Sequence, residues 1–363
     1  MVFRKRIFFC GLSLFFLMLS LVGWTRMAAQ GQIIDSPDAP PVSTAPATSA
    51  EPLSTRPVAT LKVNADLVNF YFTAEGKHHQ LIDDLTREDC SLDEDHVLQT
   101  VTHWTVNANQ PLTLGILLDT SGSQQNVLPL EKQSAEAFLQ DVMRPQDQAF
   151  VLTFDVQVSL AQDFTNSIPL LDRALNAAQI NTAGGGGSVG IPGLGQGPVP
   201  TVGAPRGTLL YDAVAEATAD RLTQQTGRKA LILLTDGEDE GSTTSPQQAI
   251  DDALRANTII YVILIADRGF YGDLSFGYTG ASQMQRLAEA TGGRVINVGN
   301  NGAKLSAAFR QIAQELRTQY WVSYTPKNQN MNGAFRSVEI RCNRAGVRIH
   351  ARKGYYATDS AGN

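Results

Sequence analysis

The stretch Leu114-Gly115-Ile116-Leu117-Leu118-Asp119-Thr120-Ser121-Gly122-Ser123 decides the fold. Its first half has no polar break, which is how a strand buried on both faces of a parallel sheet reads. It then turns polar at once. Asp119, Ser121 and Ser123 stand two apart, so a tight turn can gather their oxygen-bearing side chains. A second apolar run, Ala230-Leu231-Ile232-Leu233-Leu234, ends in the same manner, in Thr235-Asp236-Gly237-Glu238-Asp239. In an open α/β sheet, ligands bind beyond the carboxyl ends of the strands.

Outward from these runs, strands alternate with helices. Strands are expected at 149–154 and 259–265, and helices at 130–142, 168–178, 209–222, 246–256, 282–290 and 303–316. Pro246 suits a helix first turn, and Gly292-Gly293 closes another helix. Such alternation predicts an α/β fold with a doubly wound, mostly parallel sheet over residues 108–318. Before it, 58–107 reads as a small β-rich domain. Its acids Asp83, Asp84, Asp93, Glu94 and Asp95 are expected in solvated turns, because they lack the pattern of a calcium loop. After it, strands at 320–324, 335–342 and 347–351 form a C-terminal β extension over 319–357, and 358–363 is a tail. On the last strand Arg348, His350 and Arg352 share a face, expected to be wet or docked on the acidic central domain.

The N-terminus sets the compartment. Arg4-Lys5-Arg6 precedes an uncharged apolar run over residues 7–24, with small residues at Ala28-Ala29. Residues 1–29 therefore read as an export signal or, left uncleaved, as a membrane anchor, since 18 apolar residues are the short end of a span. The six prolines between 30 and 57 mark an extended linker. The bulk of the chain is expected to be exported: periplasmic, secreted or envelope-anchored. Of three cysteines only Cys90 and Cys342 follow the leader. They pair in an oxidising compartment or stay as two buried thiols.

The formal net charge is -6, and the leader holds four bases without an acid, so the remainder stands near -10. That excludes a nucleic-acid binder working by phosphate neutralisation. The last stretch, 301–363, is the exception, with ten bases against three acids. Residues 184–207 hold ten glycines. Gly193-Leu-Gly195-Gln-Gly197 lacks the strand-to-helix setting of a dinucleotide loop, so the segment reads as an insertion leading into Thr208.

Asp119, Ser121, Ser123, Thr208 and Asp236 supply five oxygen ligands without histidine or cysteine. Hard oxygen donors select magnesium, with manganese or calcium as alternatives, over zinc. Each residue alone could merely cap a helix. Taken in order, they resemble the metal-ion-dependent adhesion site of von Willebrand factor A domains. Phe154-Asp155 and Thr208-Leu209-Leu210-Tyr211-Asp212-Ala213 also look like that family. The exported chain is similar to a bacterial subgroup, the acidobacterial A-domain-related secreted proteins, through Leu85-Thr86-Arg87-Glu88-Asp89, Tyr324-Thr325-Pro326 and Arg352-Lys353-Gly354-Tyr355-Tyr356. Cys90 departs, standing where an aromatic is expected. The resemblance implies that Ser121, Ser123 and Thr208 ligate the ion through hydroxyls, and that Asp119 and Asp236 act mainly through water or from behind the direct ligands.

The implied function is an adhesion module that binds an unidentified protein through an acidic side chain placed on the cation. It implies no enzyme, no nucleic acid, and no membrane contact beyond an N-terminal anchor. Two other classes stand beside it. One is an envelope structural or assembly factor whose metal only stabilises. The other is a metal-dependent hydrolase. Against the latter, no histidine lies between residues 104 and 349, which removes a Ser-His-Asp triad from the α/β domain, although Glu238 could serve as a base. Asp155, Asp212, Glu238 and Asp239 are expected near the site but outside the ligand set. His78-His79 is expected to be exposed.

Overall fold

The computed structural model describes residues 67–106, 109–181, 207–265 and 280–358. All fall in the unit from Lys62 to Asn363. The leader and linker expected over 1–57, and the glycine-rich insertion up to residue 206, lie outside the described residues. The strands are β1 (Val68–Glu75), β2 (Leu81–Ile82), β3 (Cys90–Glu94), β4 (Val97–Leu98), β5 (Val101–Val106), β6 (Leu112–Asp119), β7 (Gln148–Phe154), β8 (Val158–Thr165), β9 (Arg228–Thr235), β10 (Thr258–Leu264), β11 (Val295–Asn297), β12 (Tyr320–Tyr324), β13 (Phe335–Cys342), β14 (Arg348–Ala351) and β15 (Gly354–Tyr356). The helices are α1 (Leu128–Val142), α2 (Ile168–Ala177), α3 (Leu210–Ala215), α4 (Pro246–Arg255), α5 (Gly280–Thr291) and α6 (Gly302–Arg317). Among the described residues, no helix is long and apolar enough to cross a membrane.

The fold is mixed α/β. The central sheet has the order β11-β10-β9-β6-β7-β8. Every pairing in it is parallel except β7 with the edge strand β8. Strand side chains alternate between the faces, and each face has its own apolar layer. Leu114, Ile116 and Leu118 pack with Phe138 of α1, Leu171 of α2 and Phe309 of α6. Leu117, Leu231 and Leu233 pack with Val214 of α3, Ala253 of α4 and Leu287 of α5. Gly115 is required by this second layer: a Cβ there would stand 2.3 Å from Leu231 and 2.5 Å from the Phe150 ring. Strand β8 escapes a pattern reading because its residues are half-exposed and mixed in polarity. The helix expected over 209–222 keeps regular geometry only to Ala215, then widens over Glu216–Arg221. There the Thr218 hydroxyl donates to the Val214 carbonyl (2.7 Å).

The segments before and after the central domain share their sheets. One sheet has the order β14-β1-β12-β5, with β2 on β1; the other has the order β15-β13-β3-β4. Phe70, Phe72, Leu92, Tyr320, Val322 and Ile340 form their common core. Cys90 lies directly opposite Cys342 in the β3–β13 register, and the two form a disulfide.

Two expectations about charged residues are corrected here. Glu94 is not in a solvated turn. It is buried, ion-paired with Arg336 (3.2 Å), and accepts from the Tyr324 and Tyr355 hydroxyls (2.7 and 2.9 Å). Strand β3 turns it inward, where an unpaired carboxylate would be costly. The Arg348, His350, Arg352 face is not uniformly wet either. Arg352 lies over the Phe70 ring at 4.2 Å and donates to the Asn69 carbonyl (2.8 Å). His350 Nε2 stands 3.4 Å from Glu75 Oε2. His79, by contrast, is largely exposed as expected.

Arg294 ties the flanking sheets to the central domain. It pairs with Glu75 of β1 (2.7 Å) and Glu315 of α6 (3.0 Å), both nearly fully buried. Arg255 of α4 also stacks on the Tyr356 ring of β15 at 3.8 Å.

Candidate metal centre

Strands β6 and β9 are parallel neighbours, with Leu118 opposite Leu234. Their carboxyl ends therefore lie side by side and carry Asp119 and Asp236. Asp119 is fully buried and Asp236 is 2% exposed. Asp119 Oδ1 accepts from the Ser121 amide (3.0 Å) and Oδ2 from the Thr235 hydroxyl (2.7 Å). Burial first, and the charge of Asp236 second, push the Asp119 carboxyl above the usual carboxylate range. The turn that follows folds back as its spacing suggests: the Ser121 and Ser123 hydroxyls are 3.0 Å apart.

Thr208 arrives from a third loop. Its carbonyl accepts from the Glu240 amide (3.1 Å), which ties it to the loop after β9. The next residue, Leu209, donates its amide to the Asp155 carbonyl (2.8 Å). Asp155 is in turn held by the turn after β6, because the Thr120 hydroxyl donates to its Oδ2 (2.7 Å). The Thr208 backbone is thus pinned to the loops after β6, β7 and β9, all at one sheet edge. Gly207 makes the approach feasible. It has φ +123°, and a Cβ on it would fall 1.9 Å from the Glu240 carbonyl oxygen.

Several residues outside the expected set shape this edge. Thr235 orients Asp119. Aligning the two apolar runs already places Thr235 opposite Asp119, so that signal was available. Asp239 is anchored by hydrogen bonds in the loop after β9. Its Oδ1 accepts from the Leu210 amide (3.0 Å) and holds the Ser242 hydroxyl (2.5 Å), which itself accepts from the Tyr211 amide (3.0 Å). That caps α3 and fixes the loop carrying Thr208. Asp212 accepts from the Thr243 and Thr244 amides (3.0 and 2.8 Å). Burial acts to raise its pKa, but these hydrogen bonds outweigh it and hold the carboxyl below its usual range. Partners about thirty residues away leave no local trace in the sequence.

Sheet order, and a serine-rich turn after the central strand with an Asp-Gly turn beside it, decide the architecture. In these features the central domain resembles a von Willebrand factor A domain. No protein-family profile and no curated protein matches this sequence. Solved structures resemble the A domain at a distance. A von Willebrand factor type A protein from Catenulispora acidiphila is 12% identical, with 83% of this chain and 76% of that one covered (TM-score 0.44). BatB from Bacteroides thetaiotaomicron is 16% identical, with 57% of this chain and all of that one covered (TM-score 0.41). Proximal thread matrix protein 1 from mussel byssus, solved with a zinc-occupied adhesion-site motif, is 17% identical, with 60% and 48% covered (TM-score 0.43). This chain spans about half of that protein. At these levels the likenesses carry nothing about ligand, partner or activity.

The donor set suits a hard divalent cation. It offers two carboxylates and three hydroxyls. Octahedral magnesium takes about six oxygens at roughly 2.0–2.1 Å. The charge bearing on buried Asp119 is that of another carboxylate, which a cation would relieve. Among the described residues, no group of three or more His, Cys, Asp or Glu side chains is placed to hold a metal. The hydroxyls would therefore have to complete the shell.

Proposed function

We propose that this chain is an exported binding module that grips a protein partner through a divalent cation. Asp119, Ser121, Ser123, Thr208 and Asp236 would hold the ion, magnesium in the first instance. The observation that carries the reading is buried Asp119 set against Asp236, on the turn where two serine hydroxyls meet.

When bound, the ion supplies a positive point with a coordination position for an incoming oxygen. The chain's own contribution is to keep that point under-neutralised. Serine and threonine hydroxyls are neutral donors, and Thr235 and the Ser121 amide hold Asp119 in place. A carboxylate from the partner then completes the charge balance. Export is supported by the leader pattern and by the Cys90–Cys342 disulfide, a bond that persists in oxidising compartments. No catalytic step is part of this reading.

The test is a Mn2+ and Mg2+ titration of the wild-type chain beside Asp119→Ala. Binding by the wild type, lost in the variant, is expected; a wild type that takes up neither ion overturns the centre. Partner capture from envelope extracts is then compared with and without chelator. Capture that chelator leaves untouched would instead favour an assembly factor with a stabilising metal.

A further inference from the structure

The loop from β12 to β13 is held more firmly than a surface connection needs. It reads Thr325-Pro326-Lys327-Asn328-Gln329-Asn330-Met331-Asn332-Gly333-Ala334, and residues 327–330 and 332–334 are exposed. Strand β13 alternates its side chains between solvent and interior. That turns Phe335 outward and Arg336 inward, where Arg336 is 2% exposed. Its Nη1 faces Glu94 Oε1 (3.2 Å) and donates to the Asn328 carbonyl (2.5 Å), and its Nη2 donates to the Asn330 carbonyl. The Gly333 amide donates to the Ala357 carbonyl (2.7 Å), and the Ala357 amide to the Ala334 carbonyl (2.9 Å). At the near end the Lys327 amide donates to Gln99 Oε1 (3.0 Å), and Met331 packs on the flanking core. Burying an ion pair is costly. An exposed connection gains nothing from it unless its shape is needed, and loops fixed on a rigid scaffold are where binding residues concentrate.

What the loop displays is neutral and polar. It has one base, Lys327, no acid, and four carboxamides within five positions. Asn328 and Asn332 use their Oδ1 atoms internally, accepting from the Asn330 and Ala334 amides (3.2 and 3.1 Å). The Gln329 and Asn330 carboxamides are exposed and make no hydrogen bond among the described residues. Each offers two donors and an acceptor. Where the loop ends, the Phe335 ring is 43% exposed and stands edge-on to Tyr356 with centroids 5.4 Å apart. A cation would find no carboxylate in this loop, and an anion a single lysine. A sugar finds what it needs: its hydroxyls both donate and accept, and its C–H face lies on an aromatic ring.

We propose that this loop and the Phe335 ring bind a neutral glycan. The Gln329 and Asn330 carboxamides bond its hydroxyls, and Phe335 takes the C–H face of one ring. Arg336 touches no sugar. It is a positioning residue that fixes the loop in advance and so lowers the ordering cost of binding. The site belongs to the flanking sheets, whereas Asp119 and Asp236 follow strands of the central sheet, so the inference does not rest on the cation reading.

The test is saturation-transfer NMR on the full chain with cellohexaose, maltohexaose and chitohexaose, each in EDTA. Transfer to the ring C–H protons of at least one of them is expected. For that sugar, Phe335→Ala should raise Kd roughly 10-fold. The double change Gln329→Ala and Asn330→Ala should do the same, through two lost hydrogen bonds. Leu160→Ala, at an exposed position on β8, should leave Kd unchanged. Arg336→Lys keeps a charge beside Glu94 but loses the planar fork that reaches both carbonyls. Weaker binding is expected from it if thermal melts show it folded; because its burial puts folding at risk, the exposed variants decide. Transfer to none of the three sugars overturns the proposal, and so does equal affinity in the wild type and the exposed variants. Binding seen only without EDTA overturns it too, since the sugar would then sit on a metal.

Discussion

The Asp119 carboxylate accepts from an amide on one oxygen and from the Thr235 hydroxyl on the other. Thr235→Val keeps the shape and deletes the second donor. It should leave the fold intact, cost about 1–3 kcal/mol for an unsatisfied buried oxygen, and weaken Mn2+ binding at least ~10-fold. Calorimetric titration beside a thermal melt reads both, and an unchanged affinity would show that Thr235 orients nothing that matters. Gly207 makes a complementary case. Alanine there must adopt φ +123° and displace the Glu240 carbonyl, moving Thr208 with it. A Cβ on Gly122 would meet nothing within 4 Å. Gly207→Ala is therefore expected to weaken Mn2+ binding clearly, and Gly122→Ala to change stability by less than about 0.5 kcal/mol. The same loss in both would refute the steric argument.

At the scale of elements, Arg294 is the joint between β1 and α6. Removing one partner of a buried ion pair costs about 3–5 kcal/mol, because the other charge is left uncompensated. Arg294→Met should lower stability in that range in chemical denaturation at neutral pH. The joint also has a pH signature. Burial acts to raise the Glu75 pKa, but the hydrogen bond and charge of Arg294 outweigh it and hold it below its ordinary 4.5. A carboxylate with a depressed pKa in the folded state contributes stability that is present above 4.5 and lost as pH falls through the folded value. In Arg294→Met the burial that opposes ionisation is countered only by His79 and His350, so this contribution should shrink or change sign. The difference between the two stability-versus-pH curves isolates it; parallel curves below pH 4.5 would contradict the assignment.

For the whole molecule, the central domain is threaded between two β segments that close on one another. Cys90 and Cys342 are 252 positions apart in sequence and directly opposed in space. Their bond fastens the segment entering the central domain to the segment leaving it. Replacing both by serine should cost about 2–5 kcal/mol. Divalent binding should not change, because the cystine sits in the flanking sheets and the five oxygen residues do not. Melts and Mn2+ titrations of the double variant check this. A loss of metal binding well below the melting temperature would mean that the flank and the metal edge are coupled.

Run length and periodicity report burial, and burial is decided locally enough to be read along the chain. Two uninterrupted apolar runs leading into Asp119 and Asp236 were sufficient to place strands, to predict helices between them, and to set those two aspartates at one edge. The same alignment brings Thr235 opposite Asp119. Pairing is another matter. The sheet shared by β1 and β12, the union of Cys90 with Cys342, and the turning inward of Glu94 toward Arg336 each depend on partners more than two hundred residues away. An acid in a solvated turn and an acid in a buried ion pair have the same letter. Only the folded neighbours, by removing water and supplying or withholding a countercharge, separate Glu94, which has its arginine, from Glu131, which lies buried beside two other acids.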